Sequence, residues 1–137
     1  MPQVNYVAVL VAAFAAFMLG PIWYSRLMFV KPWLAENKVD VETHKANAPP
    51  MGPLLAIVFI CALITAYAMA VLLVPLQHHS LEIGLRRGFA SGVCFVATAF
   101  AVSYAFERKT MRHWMINGGF YIAQMTLIGA ILGLMNG

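Results

Sequence analysis

The sequence predicts an all-α membrane protein in which four transmembrane helices form a compact bundle. Composition is the first observation: 62% of the residues are hydrophobic, 10% are charged and the mean hydropathy is +0.79, whereas a soluble domain carries about 25% charged residues. The second observation is a set of four apolar runs, each close to the roughly 20 residues that a helix needs to cross hydrocarbon. They cover approximately residues 4–22, 54–76, 87–105 and 114–135. We therefore take residues 1–137 as a single transmembrane domain.

The first run is predicted to be a retained helix and not a cleaved signal peptide. Residues 1–6 contain no Lys or Arg, so a basic region before the apolar run is missing. The run itself is also longer than the hydrophobic region of a usual signal peptide. Gly20 and Pro21 are predicted to end this helix, because proline removes a backbone donor and clashes with the preceding turn.

The segment GPIWYSRLMFVKPW, residues 20–33, combines aromatic and cationic side chains. Its apolar residues recur at helical spacing beside Arg26 and Lys31, which is typical of a helix lying in the headgroup layer. The recurring positions are Trp23, Leu27, Val30 and Leu34. We predict a short interfacial or cytoplasmic helical segment between the first two spans. A polar connector over about residues 33–53 overlaps the end of this helical segment. The connector ends in a cluster of Pro and Gly.

The charges of the loops predict the orientation of the four spans. The loops after the first and third spans carry seven cations, whereas the loop after the second span carries only Arg86 and Arg87 and the two ends carry none. The seven are Arg26, Lys31, Lys38, Lys45, Arg108, Lys109 and Arg112. Loops rich in Lys and Arg stay in the cytoplasm. Both termini are therefore predicted to lie outside.

Small residues recur every four positions in each span, and they predict the faces on which the helices pack. In lipid, helices associate through small residues that let backbones approach and through interhelical hydrogen bonds. The positions are Ala8, Ala12, Ala16 and Gly20, then Ala62, Ala66 and Ala70, then Gly84, Gly88 and Gly92, and finally Gly129 and Gly133. A stripe that is not used inside the bundle would join two copies, and on this basis we expect a homo-oligomer.

Few polar residues fall inside the spans. Asn117, Tyr121 and Gln124 share one face of the fourth span, and Thr65 and Thr98 lie near the middle of the second and third. A polar group in hydrocarbon needs a partner. Two interpretations stay open, which are hydrogen bonds between helices and a small polar cavity that binds a solute or lipid.

The residues that usually build metal, haem or nucleic-acid sites are poorly placed. The four histidines are His44 and His113 on one predicted side of the membrane and His78 and His79 on the other. A bilayer of about 30 Å separates the two groups, and two adjacent histidines do not complete a metal site. The net charge of +4 is too small and scattered for nucleic-acid binding. We predict no metal, no cofactor and no nucleic acid, with the lipid bilayer as partner and any small-molecule ligand unidentified.

Two enzyme or transporter classes can be compared with this chain. Small multidrug-resistance transporters also have four short helices, but they depend on a Glu inside the membrane, and none of the four spans has one. The segment FERKTMRHWMIN is similar to the Arg and Asn elements of the membrane-bound glutathione-transferase family, which would give Arg112, His113 and Asn117 a transferase-like role. The acidic residue that this family places shortly after the Asn is missing.

The aromatic segment after the first span carries a resemblance to a known family. The pattern Gly20-x-x-Trp23-Tyr24-Ser25-x-x-x-Phe29-x-Lys31-x-Trp33, after an Asn5-Tyr6 start, resembles the bacterial membrane family catalogued as domain of unknown function 1761. The turn Glu107-Arg108 and elements of the fourth span, with Gly119, Tyr121 and Gly129 to Gly133, extend the resemblance over nearly the whole chain. Arg26 and Val30 depart from it, where proline and glycine are common. The resemblance implies a multi-pass protein of the bacterial inner membrane and assigns no activity.

From these observations we expect a non-enzymatic structural or accessory membrane subunit that associates with itself and has no catalytic residues. A small-solute or lipid-binding transporter that uses the polar face of the fourth span is the first alternative. A membrane-embedded transferase-like enzyme is the second.

Overall fold

The computed structural model describes residues 4–23, 51–73 and 80–136. These residues form four long helices and no strand, which confirms the all-α class. The helices are α1 (Tyr6–Trp23), α2 (Met51–Leu73), α3 (Leu81–Phe106) and α4 (Met111–Asn136). By length and composition each could cross a membrane, as predicted. The predicted interfacial helical segment and the polar connector up to residue 50 lie outside the described residues.

Helix α1 continues past the predicted end at Gly20 and Pro21, as far as Trp23. Pro21 stands in the last turn, where a proline costs the helix one hydrogen bond and does not interrupt a longer run. The indole Nε1 of Trp23 donates to the carbonyl of Ile116 on α4 at 3.1 Å, which holds this last turn in place.

Helix α3 begins at Leu81, six residues before the predicted start at residue 87. Its first turn has a side-chain cap, because the Ser80 hydroxyl accepts a hydrogen bond from the Ile83 N–H at 3.2 Å. Glu82 in the first turn pairs with Arg86 at 2.6 Å. Arg86 and its neighbour Arg87, predicted to lie in a loop, are therefore helical.

The middle of α3 is a π-helix over Gly92–Ala97, between α-helical parts Leu81–Ser91 and Thr98–Phe106. Side chains bond the carbonyls where the helix returns to α geometry. The Thr98 hydroxyl donates to Cys94 O at 2.7 Å and reaches Phe95 O at 3.3 Å. The indole of Trp114 on α4 donates to Ala97 O at 2.8 Å. Such π segments often mark functional sites, and the hydrophobic pattern gave no sign of this one.

A Schellman motif ends α3. The Lys109 N–H donates to Tyr104 O at 2.9 Å and the Arg108 N–H to Ala105 O at 3.4 Å. Arg108 has a φ of 57°, the left-handed region that glycine usually occupies at this position. The Thr110 hydroxyl then accepts from the His113 N–H at 3.1 Å and caps α4.

Helix α4 contacts the three other helices, and α1 also packs along α2. Helix α3 packs mainly on α4. Of the 18-residue apolar stretch of α3, 11% is buried within the chain, against 44% for the corresponding stretch of α4. The buried cluster of α1, α2 and α4 is built mostly from small side chains and a few large ones. Its members include Ala8, Ala12, Ala16, Ala62, Ala66, Met69, Ala70, Leu73, Ile128 and Leu132.

Candidate functional site

Glycines on α3 and α4 bring the two helix backbones into direct contact. A Cβ on Gly84 would run into the carbonyl of Gly129, and a Cβ on Gly129 would run into the carbonyl of Gly84. Gly133 faces the Ser80 carbonyl in the same way. Close backbone approach through small residues is the usual basis of helix association in lipid.

The same interface continues toward the π segment. A Cβ on Gly88 would meet the carbonyl of Met125 and would lie 2.9 Å from Thr126 Cα. A Cβ on Gly92 would lie 2.8 Å from Ile122 Cα. Because backbone atoms form both sides of this contact, no side chain can rotate to make room. The two helices are therefore held in one register.

The small residues of α1 and α2 also face other helices of the same chain. Ala8, Ala12 and Ala16 are at most 1% exposed, and they pack in the buried cluster with the alanines of α2. A Cβ on Gly20 would lie 3.9 Å from the Phe120 ring, which is an ordinary van der Waals distance. Gly20 therefore makes no close backbone contact of the kind seen between α3 and α4. Within the described residues, no stripe of the predicted packing positions is left over for a second copy.

An aromatic cluster joins α1, α3 and α4 near the turn between α3 and α4. Successive ring centroids are 4.9–6.2 Å apart, within the range of favourable aromatic pairs. In order of contact its members are Trp23, Phe120, Tyr121, Phe100, Tyr104 and His113.

Of the polar residues predicted on α4, Tyr121 is a member of this cluster and Asn117 bonds another member. Asn117 Nδ2 donates to the Tyr104 hydroxyl at 2.8 Å, and the ring of Tyr121 stacks on Phe100 at 5.1 Å. His113 is 4% exposed and its ring meets Tyr104 edge-on. The sequence analysis missed Tyr104. Its position at the end of the third span, at the same depth as the start of the fourth, was the available signal.

Gln124 lies apart from this hydrogen bond, about 10 Å further along α4 than Asn117. The residue is 8% exposed, and the structure gives no hydrogen bond between its amide and another described residue. Because no buried side-chain nitrogen or oxygen among the described residues lacks a partner, the amide atoms keep some access to the surface. Thr65 and Thr98 donate to carbonyls of their own helices, Cys61 O and Cys94 O. The structure thus brings Asn117 and Tyr121 into one cluster and leaves the other predicted polar residues outside it.

Of the family-like segment over residues 20–33, the structure describes residues 20–23. The Trp23 indole bonds Ile116 O, its ring centroid lies 6.2 Å from that of Phe120, and a Cβ on Gly119 would be 3.4 Å from Trp23 Cζ2. It therefore packs against α4. Tyr24, Ser25, Lys31 and Trp33 lie outside the described residues.

An open cleft of about 260 Å³ lies beside the aromatic cluster, at the turn between α3 and α4. Its wall is almost entirely apolar, with a lysine and a threonine on the turn. The lining residues are Ala101, Tyr104, Ala105, Lys109, Thr110, Met111 and Trp114. Among the described residues there is no group of three or more His, Cys, Asp or Glu that could hold a metal ion. Cys61 and Cys94 are exposed free thiols.

Comparison with known proteins gives one result. A family described as "Protein of unknown function (DUF1761)" matches residues 7–133. No curated protein and no solved structure shows a significant match. The match confirms the resemblance found in the sequence.

Proposed function

We propose a structural, non-enzymatic role for this chain, which belongs to the family of proteins of unknown function DUF1761. In this proposal the four apolar helices close into a compact bundle in the bacterial inner membrane. Both termini lie on the outer side, because the loop cations then fall in the cytoplasm. The chain serves as an accessory subunit with a fixed shape.

The contact between the α3 and α4 glycines carries this proposal. Transporters expose a central site alternately to the two sides by moving helices against one another. At Gly84, Gly88 and Gly129 the backbones touch, so sliding would break the contact along its whole length. A register locked in this way supports a rigid unit better than a moving one.

Distances between spin labels test whether the unit is rigid. With Cys61 and Cys94 replaced by Ala, one label pair is placed at Leu72 and Leu81, and a second pair at Leu54 and Phe106, all exposed positions. In nanodiscs, a structural role predicts one narrow distance distribution at each end. Two populations of distances for each label pair, in which the distance at one end increases as that at the other end decreases, would show alternating access. That result would contradict the proposal.

A label pair at Met111 and Leu134, both exposed on α4, is the matched control. These sites are on one helix, so their distance stays constant whether or not the helices move. A broad distance distribution for this control pair would measure the motion of the labels themselves. Its width is subtracted from the widths of the two test pairs.

Self-association is part of the proposal and would use the outer faces of α2 or α3. The small-residue stripes already pack inside the chain, whereas Ile57 and Ile64 on α2 and Phe89 and Phe95 on α3 are exposed. Mass photometry in nanodiscs tests this. A monomer at every protein-to-lipid ratio would contradict self-association and leave the structural role standing.

The amide of Gln124 favours a second candidate function, binding of a small solute or lipid between the helices. The residue is 8% exposed, and its amide atoms keep some access to the surface, so that a ligand could form a hydrogen bond with them. Binding screens on the wild type and Gln124→Leu, with matched folding, separate the two roles. A ligand lost only in the variant supports binding; a ligand retained by the variant contradicts this site.

A further inference from the structure

We propose that the cleft at the α3–α4 turn binds one acyl chain of an anionic phospholipid, with the headgroup phosphate held by Arg108 and Lys109. This inference is independent of the structural role, because it needs only that α3 and α4 cross a bilayer with their turn on the cytoplasmic side. The site is also separate from Gln124, which lies deeper along α4.

The cleft wall suits hydrocarbon better than a polar solute. The indole N–H of Trp114 is used by Ala97 O, and the Tyr104 hydroxyl accepts from Asn117 and keeps its own O–H as a donor. Most of the surface that these two large residues offer to an occupant is ring carbon. Ala101 and Ala105 also line the cleft, and their small apolar side chains leave space for an acyl chain.

The position of the cleft matches the boundary of the membrane. Helix α3 has 26 residues, which corresponds to a length of about 39 Å, whereas the hydrocarbon core is about 30 Å thick. The end of α3 and the turn beyond it then reach the headgroup layer. An acyl chain in the cleft would point into the bilayer, and the headgroup phosphate of the same lipid would lie at the turn.

The charges on the turn complement a phosphate. Arg108 and Lys109 follow Glu107, and Lys109 itself lines the cleft. Among the described residues the ion pair is that of Glu82 with Arg86 at the other end of α3, so neither turn cation is neutralised by a described carboxylate. Basic pockets between transmembrane helices on the cytoplasmic side are known to bind anionic headgroups.

The backbone of Arg108 adds an independent argument. The φ of Arg108 is 57°. Glycine adopts this left-handed conformation without strain, whereas for other residues it costs about 1–2 kcal/mol. Strain of this kind is associated with functional positions. The favourable position of a cation beside a helix C-terminus offsets part of the cost, and phosphate binding at the cleft would account for an Arg at this position.

The test is native mass spectrometry of the full chain in detergent, titrated with dioleoyl-phosphatidylglycerol or dioleoyl-phosphatidylcholine. We expect a single tightly held lipid with preference for phosphatidylglycerol. Ala101→Leu, which fills the cleft and leaves the charges, should abolish this adduct. Arg108→Gly and Lys109→Gln should each reduce the preference about fivefold, since one cation near anionic lipid is worth about 1 kcal/mol.

Two controls separate the site from general effects. Arg87→Gln removes an exposed cation from the opposite end of α3 and should leave the adduct unchanged. Arg108→Gly relieves backbone strain, so its loss of lipid cannot be attributed to misfolding. Equal binding of the two lipids by the wild type, an adduct that survives Ala101→Leu, or displacement by glycerol 3-phosphate at the lipid's own concentration would overturn the proposal. The last result would mean that a free phosphate ester is the ligand and the acyl chain is not.

Discussion

Gly88 on α3 lies directly against the carbonyl of Met125 on α4, so that the space where a Cβ would stand is already filled by backbone. With the contacts of Gly84 and Gly129 it fixes the register of the two helices. The aromatic cluster and the cleft lie further along the same pair. Their geometry therefore depends on this contact.

Gly88→Ala is expected to lower the free energy of unfolding in detergent by about 1–3 kcal/mol or more, the usual cost of overpacking. Gly52→Ala is the matched control, because a Cβ there meets nothing within 4 Å. Alanine also suits a helix better than glycine, so this control should be neutral or stabilising. Equal stability of the two variants would show that α3 and α4 are not in backbone contact.

The hydrogen bond between Asn117 and Tyr104 should appear as a coupling energy. A double-mutant cycle with Asn117→Leu and Tyr104→Phe is expected to give about 0.6 kcal/mol and at most about 1.7 kcal/mol, as for other interhelical bonds in membranes. Chemical unfolding in mixed micelles measures it. A cycle on Asn117 and Thr65, which share no bond, is the control and should give none. Additivity in both cycles would contradict the bond.

Trp114→Phe should destabilise the π segment of α3. The indole donates to Ala97 O, and Ala97 is 2% exposed, so its carbonyl loses a side-chain donor in an apolar region at a cost of about 1–3 kcal/mol. Hydrogen exchange at residues 92–101 is expected to accelerate. Met115→Leu, on the exposed face of the same turn, should change nothing. If both variants exchange alike, the indole bond does not stabilise this region.

Arg108→Gly should raise the free energy of unfolding by up to about 1 kcal/mol, because glycine adopts a positive φ without strain. Arg108→Ala removes the charge and keeps the Cβ, so it should give no such gain. Thermal unfolding of the three proteins decides the point. A gain in Arg108→Ala equal to that in Arg108→Gly would assign the cost to the charge and not to the backbone.

Gln124→Leu should leave stability unchanged or raise it. The structure gives the amide no hydrogen bond to a described residue, and Leu places an apolar side chain of similar size at this position, which is 8% exposed. Thermal unfolding measures the change, with Asn117→Leu as a control that does lose a hydrogen bond and should be destabilised. A marked loss of stability in Gln124→Leu would show that the amide is bonded.

The candidate site was predictable only in part. Asn117 and Tyr121 could be placed on one face because both are on the same helix, where spacing fixes direction. Tyr104, Phe100 and Trp114 were missed, since nothing in the spacing of one helix says which other helix lies beside it. The spacing of one helix likewise left open what Thr65 and Thr98 contact, and in the structure both hydroxyls donate to carbonyls of their own helices.

The sequence by itself determined the all-α class, the four apolar helices and the family. These follow from local causes, because an apolar segment in lipid must satisfy its own backbone hydrogen bonds and can do so only as a helix. It also determined where the small residues lie. The tertiary structure alone decided that the glycines of α3 meet those of α4, that Trp23 bonds α4, that α3 contains a π segment and that Arg108 has a positive φ. Each of these depends on which two surfaces come into contact, and contact between helices is a property of packing that no single segment carries.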